Sequence, residues 1–143
     1  MVRKFEAQDL DTVMQIWLHS NLDAHAFIPA RFWTDHFEMV RDMLPQAEVY
    51  VHENEDTQQI DGFIGLTENH IEGIFIAKAA RSKGIGKALL KYAKSLKPSL
   101  TLSVYQKNER ALAFYRREQF VVQSEGIGPD TNEADIQILW TRH

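Results

Sequence analysis

Between residues 74 and 98 three kinds of sequence follow one another, and their order limits the folds open to the chain. The apolar run Ile74-Phe75-Ile76-Ala77 gives way to the basic turn Arg81-Ser82-Lys83-Gly84-Ile85-Gly86-Lys87, and that turn to an amphipathic stretch stopped by Pro98. A strand that enters a helix through a glycine turn aims backbone N–H groups outward, and the helix start adds unpaired donors and the positive end of its dipole. Arg81, Lys83 and Lys87 bring cationic side chains to the same point. Such a place suits a phosphate or pyrophosphate. A P-loop is excluded, because it needs glycine where Arg81 stands and a hydroxyl where Ala88 stands. A dinucleotide fingerprint is excluded too: Leu89 replaces its third glycine, and Val104-Tyr105-Gln106 offers no acid about twenty residues on.

The flanking sequence sets this loop in an alternation of strands and helices. Residues 2–5 read as a short strand. Asp9 or Asp11 can cap a helix with Leu10, Val13, Ile16 and Trp17 on one face, ending near His19-Ser20-Asn21. After Pro29, the spacing of Phe32, Trp33, His36, Phe37, Val40 and Leu44 predicts a second helix that Pro45 stops. From Ala47 the apolar period falls to two: residues 48–53 and 60–66 predict a hairpin, and 71–77 a further strand. The helix after the glycine turn is expected to bury Ile85, Ala88, Leu89, Tyr92 and Leu96 and to leave its lysines mostly solvated. Residues 100–105 alternate as a strand, and Asn108 can cap a helix carrying Ala111, Leu112, Phe114 and Tyr115. Residues 120–122 and 136–140 supply two last strands around a polar loop at 123–135.

Two signatures thus stand in order: Arg81-x-x-Gly84-x-Gly86 between strand and helix, then Asn108-x-x-Ala111-x-x-Phe114-Tyr115. Together they resemble the GCN5-related N-acetyltransferases (GNAT superfamily), over roughly residues 60–122. The resemblance implies an α/β (α+β) domain spanning 1–143. Its central sheet would be mixed and mostly antiparallel, with about seven strands and about four flanking helices in the order β-α-α-β-β-β-α-β-α-β-β. It also implies acetyl-CoA as co-substrate and direct attack of an acceptor amine on the thioester. In that family the loop amides hold the CoA pyrophosphate, which makes Arg81, Ser82, Lys83, Gly84, Ile85, Gly86 and Lys87 the implied cofactor-binding residues. The strand before the loop splays from its neighbour, so backbone groups of Phe75, Ile76 and Ala77 are expected to be free for pantetheine and the thioester carbonyl. Asn108 corresponds to the side chain that contacts the pantetheine arm, and Tyr115 to the general acid that protonates the leaving thiolate.

The general base is less defined. Some relatives keep glutamate where Ser103 stands, and serine cannot serve. Others keep it on the preceding strand, where His70 aligns and where Glu72 lies two residues on, on the same face. Gln119 replaces the glycine that commonly precedes the aromatic at Phe120. His25, Phe27 and Trp33, in the aromatic-rich segment 22–44, are candidates for the acceptor pocket, since such pockets are mostly apolar with a few polar groups. Packing in the core is the other reading of these side chains.

Composition narrows the function classes. With 143 residues, 44% of them hydrophobic, the chain is the size of one globular domain. A net charge of -4 argues against nucleic acid as main partner and suits an amine substrate. The chain has no cysteine, which excludes disulfides, a thiol nucleophile and thiolate metal sites, and its six histidines show no metal-ligand spacing. Neither a signal-peptide core nor an apolar run of about 18 residues occurs, so a cytoplasmic protein with no membrane partner is expected. Two classes remain: an acetyl-CoA-dependent N-acetyltransferase acting on a small amine or on a protein lysine or N-terminus, and a catalytically silent acyl-CoA-binding or partner-binding domain. Tyr115 and Asn108 favour the enzyme. The acceptor and the oligomeric state are not written in these motifs, since members of one fold vary such features through loops.

Overall fold

The alternating segments pair into one seven-stranded sheet. The computed structural model describes residues 1–142. Its strands are β1 (Val2–Lys4), β2 (Glu48–Glu53), β3 (Ile60–Thr67), β4 (His70–Ile76), β5 (Ser99–Tyr105), β6 (Val121–Ile127) and β7 (Ala134–Thr141). Its helices are α1 (Leu10–Ala24), α2 (Ala30–Met43), α3 (Ile85–Leu96) and α4 (Glu109–Arg117). The sheet order is β1-β2-β3-β4-β5-β7-β6, antiparallel throughout except between β4 and β5. This is the expected mixed sheet and the expected order of elements.

Strand alternation divides the core in two. On β2, Val49 and Val51 join Val13, Met14, Ile16 and Trp17 of α1 and Trp33 of α2, while Tyr50 between them joins Ile85, Leu89, Leu90 and Ala93 of α3. The two helical layers therefore cover opposite faces of the sheet. Among the described residues no helix is long and apolar enough to cross a membrane.

Several expectations change on contact with the tertiary structure. Asp9 makes no side-chain cap on α1; it is buried, accepts from both terminal nitrogens of Arg3 at 2.9 and 3.1 Å and from the Glu6 N–H at 2.8 Å, and so pins β1 to the start of the helix. α1 runs on past residues 19–21 to Ala24, because Asn21 turns its amide nitrogen back to the Trp17 carbonyl at 2.9 Å and is buried without a loose polar group. On α3 the buried row is Ile85, Leu89, Leu90 and Ala93, with Leu96 exposed. A helical period near 3.6 fits either row, and packing on the sheet selects the second. β6 extends through residues 123–127, expected as loop: every residue of this edge strand is exposed, so it carries no apolar alternation to read.

α4 closes with a left-handed turn. Gln119 takes φ +72°, the Gln119 N–H donates to Arg116 at 3.1 Å, and the Phe120 N–H donates to Tyr115 at 3.0 Å. These are the two bonds of a Schellman cap, formed here with glutamine at the position that glycine usually takes.

Candidate active site

The site begins where two parallel strands part. β4 and β5 meet only at His70 and Thr101, where the Thr101 N–H donates to Asn69 at 2.9 Å, and they diverge beyond that point. The β3–β4 ladder slips register between Gly65 and Leu66. The Ala77 N–H donates to the Asp61 carbonyl at 2.9 Å, and antiparallel alternation then turns the backbone groups of Ala77 and Phe75 toward β3 and those of Ile74 and Ile76 toward the opening. This corrects the expectation for Phe75 and Ala77. Ile76 does face the opening, joined there by Ile74, and the Ile76 carbonyl already accepts from the Ser20 hydroxyl at 3.1 Å.

A cleft of about 990 Å³ extends from this opening between α3 and α4. Its wall includes Arg81, Ser82, Gly84, Ile85, Gly86 and Lys87, whereas Lys83 lies outside it. The two left-handed positions of the turn are Ser82 (φ +64°) and Gly84 (φ +82°). Gly86 is already helical and serves by lacking a side chain: a Cβ there would lie 3.6 Å from the Phe114 ring, across the cleft. The first helical bond of α3 is Ala88 N–H to Gly84, and no side chain caps this end, which leaves the N–H groups of Ile85, Gly86 and Lys87 without helical partners. Arg81 pairs with Asp23 of α1 at 3.2 Å. Uncapped donors, a bare backbone and the charges of Arg81 and Lys87 fit the diphosphate of acetyl-CoA.

A second pocket of about 390 Å³ lies behind the splayed strands, lined by Trp17, His25, Phe32, Trp33, Glu72 and Tyr105 among others. Tyr115, Asn108, Ala111 and Ile74 line both spaces. Tyr115 is buried, with its ring edge-on to Phe114 and Phe120 at 5.1 and 5.4 Å, and burial alone pushes its phenol well above the ordinary tyrosine range. The Asn108 oxygen caps α4 by accepting from the Ala111 N–H at 3.2 Å, and its nitrogen lies 3.3 Å from His25 Nε2.

The remaining candidates separate. Glu72 lines the second pocket, while His70 lies on neither wall, its Nδ1 held 3.0 Å from the Thr101 hydroxyl. His25 and Trp33 line the pocket; Phe27 does not, and instead backs the rings of His25 and Tyr105 at 5.7 and 5.6 Å. Trp33 is both wall and core, and its buried indole N–H has no partner among the described residues. Tyr105, Asp130 and Asp135 also stand on this wall, and no local motif marks them for it. Tyr105 reads as an ordinary strand end, and the two acids belong to a polar loop and the start of β7, which only folding brings over the pocket.

Comparison with known proteins places this geometry. The acetyltransferase (GNAT) domain model matches residues 45–122. The chain is 36% identical over 122 residues to the Escherichia coli peptidyl-lysine N-acetyltransferase YiaC, covering 84% of this chain and 82% of that protein. It is 33% identical to the E. coli peptidyl-lysine N-acetyltransferase YjaB, covering 85% and 82%. The solution structure of apo YjaB superposes with a TM-score of 0.87 at 28% identity over 100% of this chain and 98% of that one. A Bacillus anthracis acetyltransferase in complex with acetyl coenzyme A matches with a TM-score of 0.59 at 26% identity, over 66% of this chain and 62% of that one. Fold, family model and relatives agree, and the chain belongs to the GNAT acetyltransferases.

Proposed function

We propose that this N-acetyltransferase modifies lysine side chains of proteins, and that Tyr115 and Glu72 handle the protons. The observation that carries the reading is the junction at Tyr115, where the cleft below the uncapped end of α3 meets an aromatic pocket with carboxylates on its wall. When bound, acetyl-CoA supplies an activated acetyl carbonyl and a thiolate leaving group. Arg81, Lys87 and the first amides of α3 would hold its phosphates. The amides of Ile74 and Ile76 face the opening, where oxyanion charge would be stabilised by fixed donors. Glu72 takes the proton of the incoming ammonium, directly or through water, and His70 is the more distant candidate for that task.

Tyr115 keeps its proton throughout the physiological range. A simple transfer from so weak an acid to a thiol-like sulfur, whose pKa is about 8.5, runs uphill. Its hydroxyl therefore acts as a relay: as the C–N bond forms and the C–S bond breaks, Tyr115 takes a proton from the amine nitrogen and gives its own to the sulfur, with no net change in its charge.

Lysine is favoured because Glu72, Asp130 and Asp135 would attract its ammonium while Phe32, Trp33 and Tyr105 offer apolar surface to its methylenes. The two relatives named for peptidyl-lysine support the same choice. The test compares CoA release with a blocked peptide containing one internal lysine, a peptide offering only its N-terminal amine, and free small amines. Turnover should be fastest with the internal lysine, and turnover on the other amines with none on lysine would overturn the assignment.

A further inference from the structure

His25 stands beside the junction of the two spaces, and both of its ring nitrogens are engaged within the protein. Its Nδ1 is 3.2 Å from the Asn21 side-chain oxygen, and its Nε2 is 3.3 Å from the Asn108 nitrogen. Trp33 stacks on the ring at 5.4 Å, and the edges of Tyr105 and Phe27 meet it at 5.0 and 5.7 Å. The directions of these bonds follow from the cap of α4. The Asn108 oxygen must face the Ala111 N–H, so its amide nitrogen must face His25. Nε2 therefore accepts, the ring proton sits on Nδ1, and Nδ1 donates to Asn21. Asn21 is 4% exposed and in turn donates to the Trp17 carbonyl at 2.9 Å. The result is one directed chain of hydrogen bonds from the interior of α1 to the amino end of α4. Burial that holds the His25 ring neutral keeps Nε2 an acceptor.

We propose that His25 is a positioning residue: through Asn108 it holds the amino end of α4, and with that short helix Tyr115, against the last turn of α1, instead of touching the acceptor amine. α4 has nine residues, so Tyr115 sits within two turns of the strapped end and follows any shift there. The acceptor then meets the rings of Trp33, Phe32 and Tyr105 that line the pocket, and His25 sets where the reacting groups stand. Only the kinetic arm of the test below rests on the acetyltransfer reading.

Three substitutions and the imidazole ¹H–¹⁵N spectra decide the matter. His25→Leu keeps bulk but removes the acceptor, whereas His25→Gln offers an amide oxygen near the position of Nε2. In His25→Leu kcat should fall by about tenfold, because small displacements of catalytic groups cost that much or more, while the acceptor KM stays within about twofold. His25→Gln should restore most of kcat. A raised acceptor KM with unchanged kcat in both variants would show a substrate contact and overturn the proposal. Long-range ¹H–¹⁵N spectra of the wild type should show His25 protonated at Nδ1 alone. In Asn108→Asp, which keeps the cap but replaces the donor by a carboxylate, Nε2 should become protonated and the ring should titrate at higher pH. A proton on Nε2 in the wild type, or an unchanged titration in Asn108→Asp, would overturn the strap even if His25→Leu fails to fold or no acceptor turns over.

Discussion

At the scale of single residues the balance between burial and chemistry is clearest at Tyr115. Its hydroxyl is the one polar atom of a ring otherwise packed between Phe114 and Phe120. Tyr115→Phe keeps that packing, so stability and acetyl-CoA binding should barely change while kcat falls by about 10²–10⁴-fold, the usual worth of a placed proton donor. Single-turnover measurement isolates the chemical step, and a wild-type rate there would make the phenol a packing group only. His25 supplies a second residue-level expectation. Burial lowers its pKa from 6.5 to about 4, so between those values the unfolded chain binds more protons than the folded one. Stability should therefore fall as pH drops from 6.5 toward 4 and gain no further contribution from this group outside that window. Urea midpoints across pH should show this component in the wild type and not in His25→Gln, and parallel curves for the two would refute it.

At the scale of elements, two positions on helix termini gain stability from opposite substitutions, one away from glycine and one toward it. Gly86 lies in the first turn of α3, where alanine would favour the helix by up to about 1 kcal/mol and its methyl would meet Phe114 at ordinary contact distance. Gly86→Ala should hold or raise the melting temperature yet weaken acetyl-CoA binding, because the methyl projects over the cleft. Unchanged affinity by titration calorimetry would mean that the phosphates lie elsewhere. Gln119 is a β-carbon residue held at φ +72° by the Schellman cap of α4. Gln119→Gly relieves that conformation and should stabilise the protein by about 1 kcal/mol in denaturant unfolding, with no change in acetyl-CoA affinity. A loss of stability would place the strain elsewhere.

At the scale of the whole molecule, binding and folding are linked through the two layers that the cleft joins. A ligand held by the α3 turn and by α4 stabilises the folded state alone, and acetyl-CoA at a hundredfold over its dissociation constant should add about 2.7 kcal/mol. ATP and NAD, which share the diphosphate but not the pantetheine arm, should add much less, and equal thermal shifts for the three would contradict the site. Read alone, the chain yields the order of elements, the glycine turn between strand and helix, and a tyrosine on the helix that Asn108 caps. Those features are local: the turn, cap and period of each segment are written within a few residues of where they act. What depends on register and on chain segments far apart emerges on folding. The slip between β3 and β4 chose Ile74 and Ile76 over Phe75 and Ala77, because one residue of register reverses which backbone groups face the opening. The partition of Glu72 from His70, the placing of Asp130 and Asp135 beside Tyr105, and the bond from His25 to Asn108 across 83 residues of chain follow from the same cause: they exist only once α1, α4 and the β6–β7 loop close around the splayed strands.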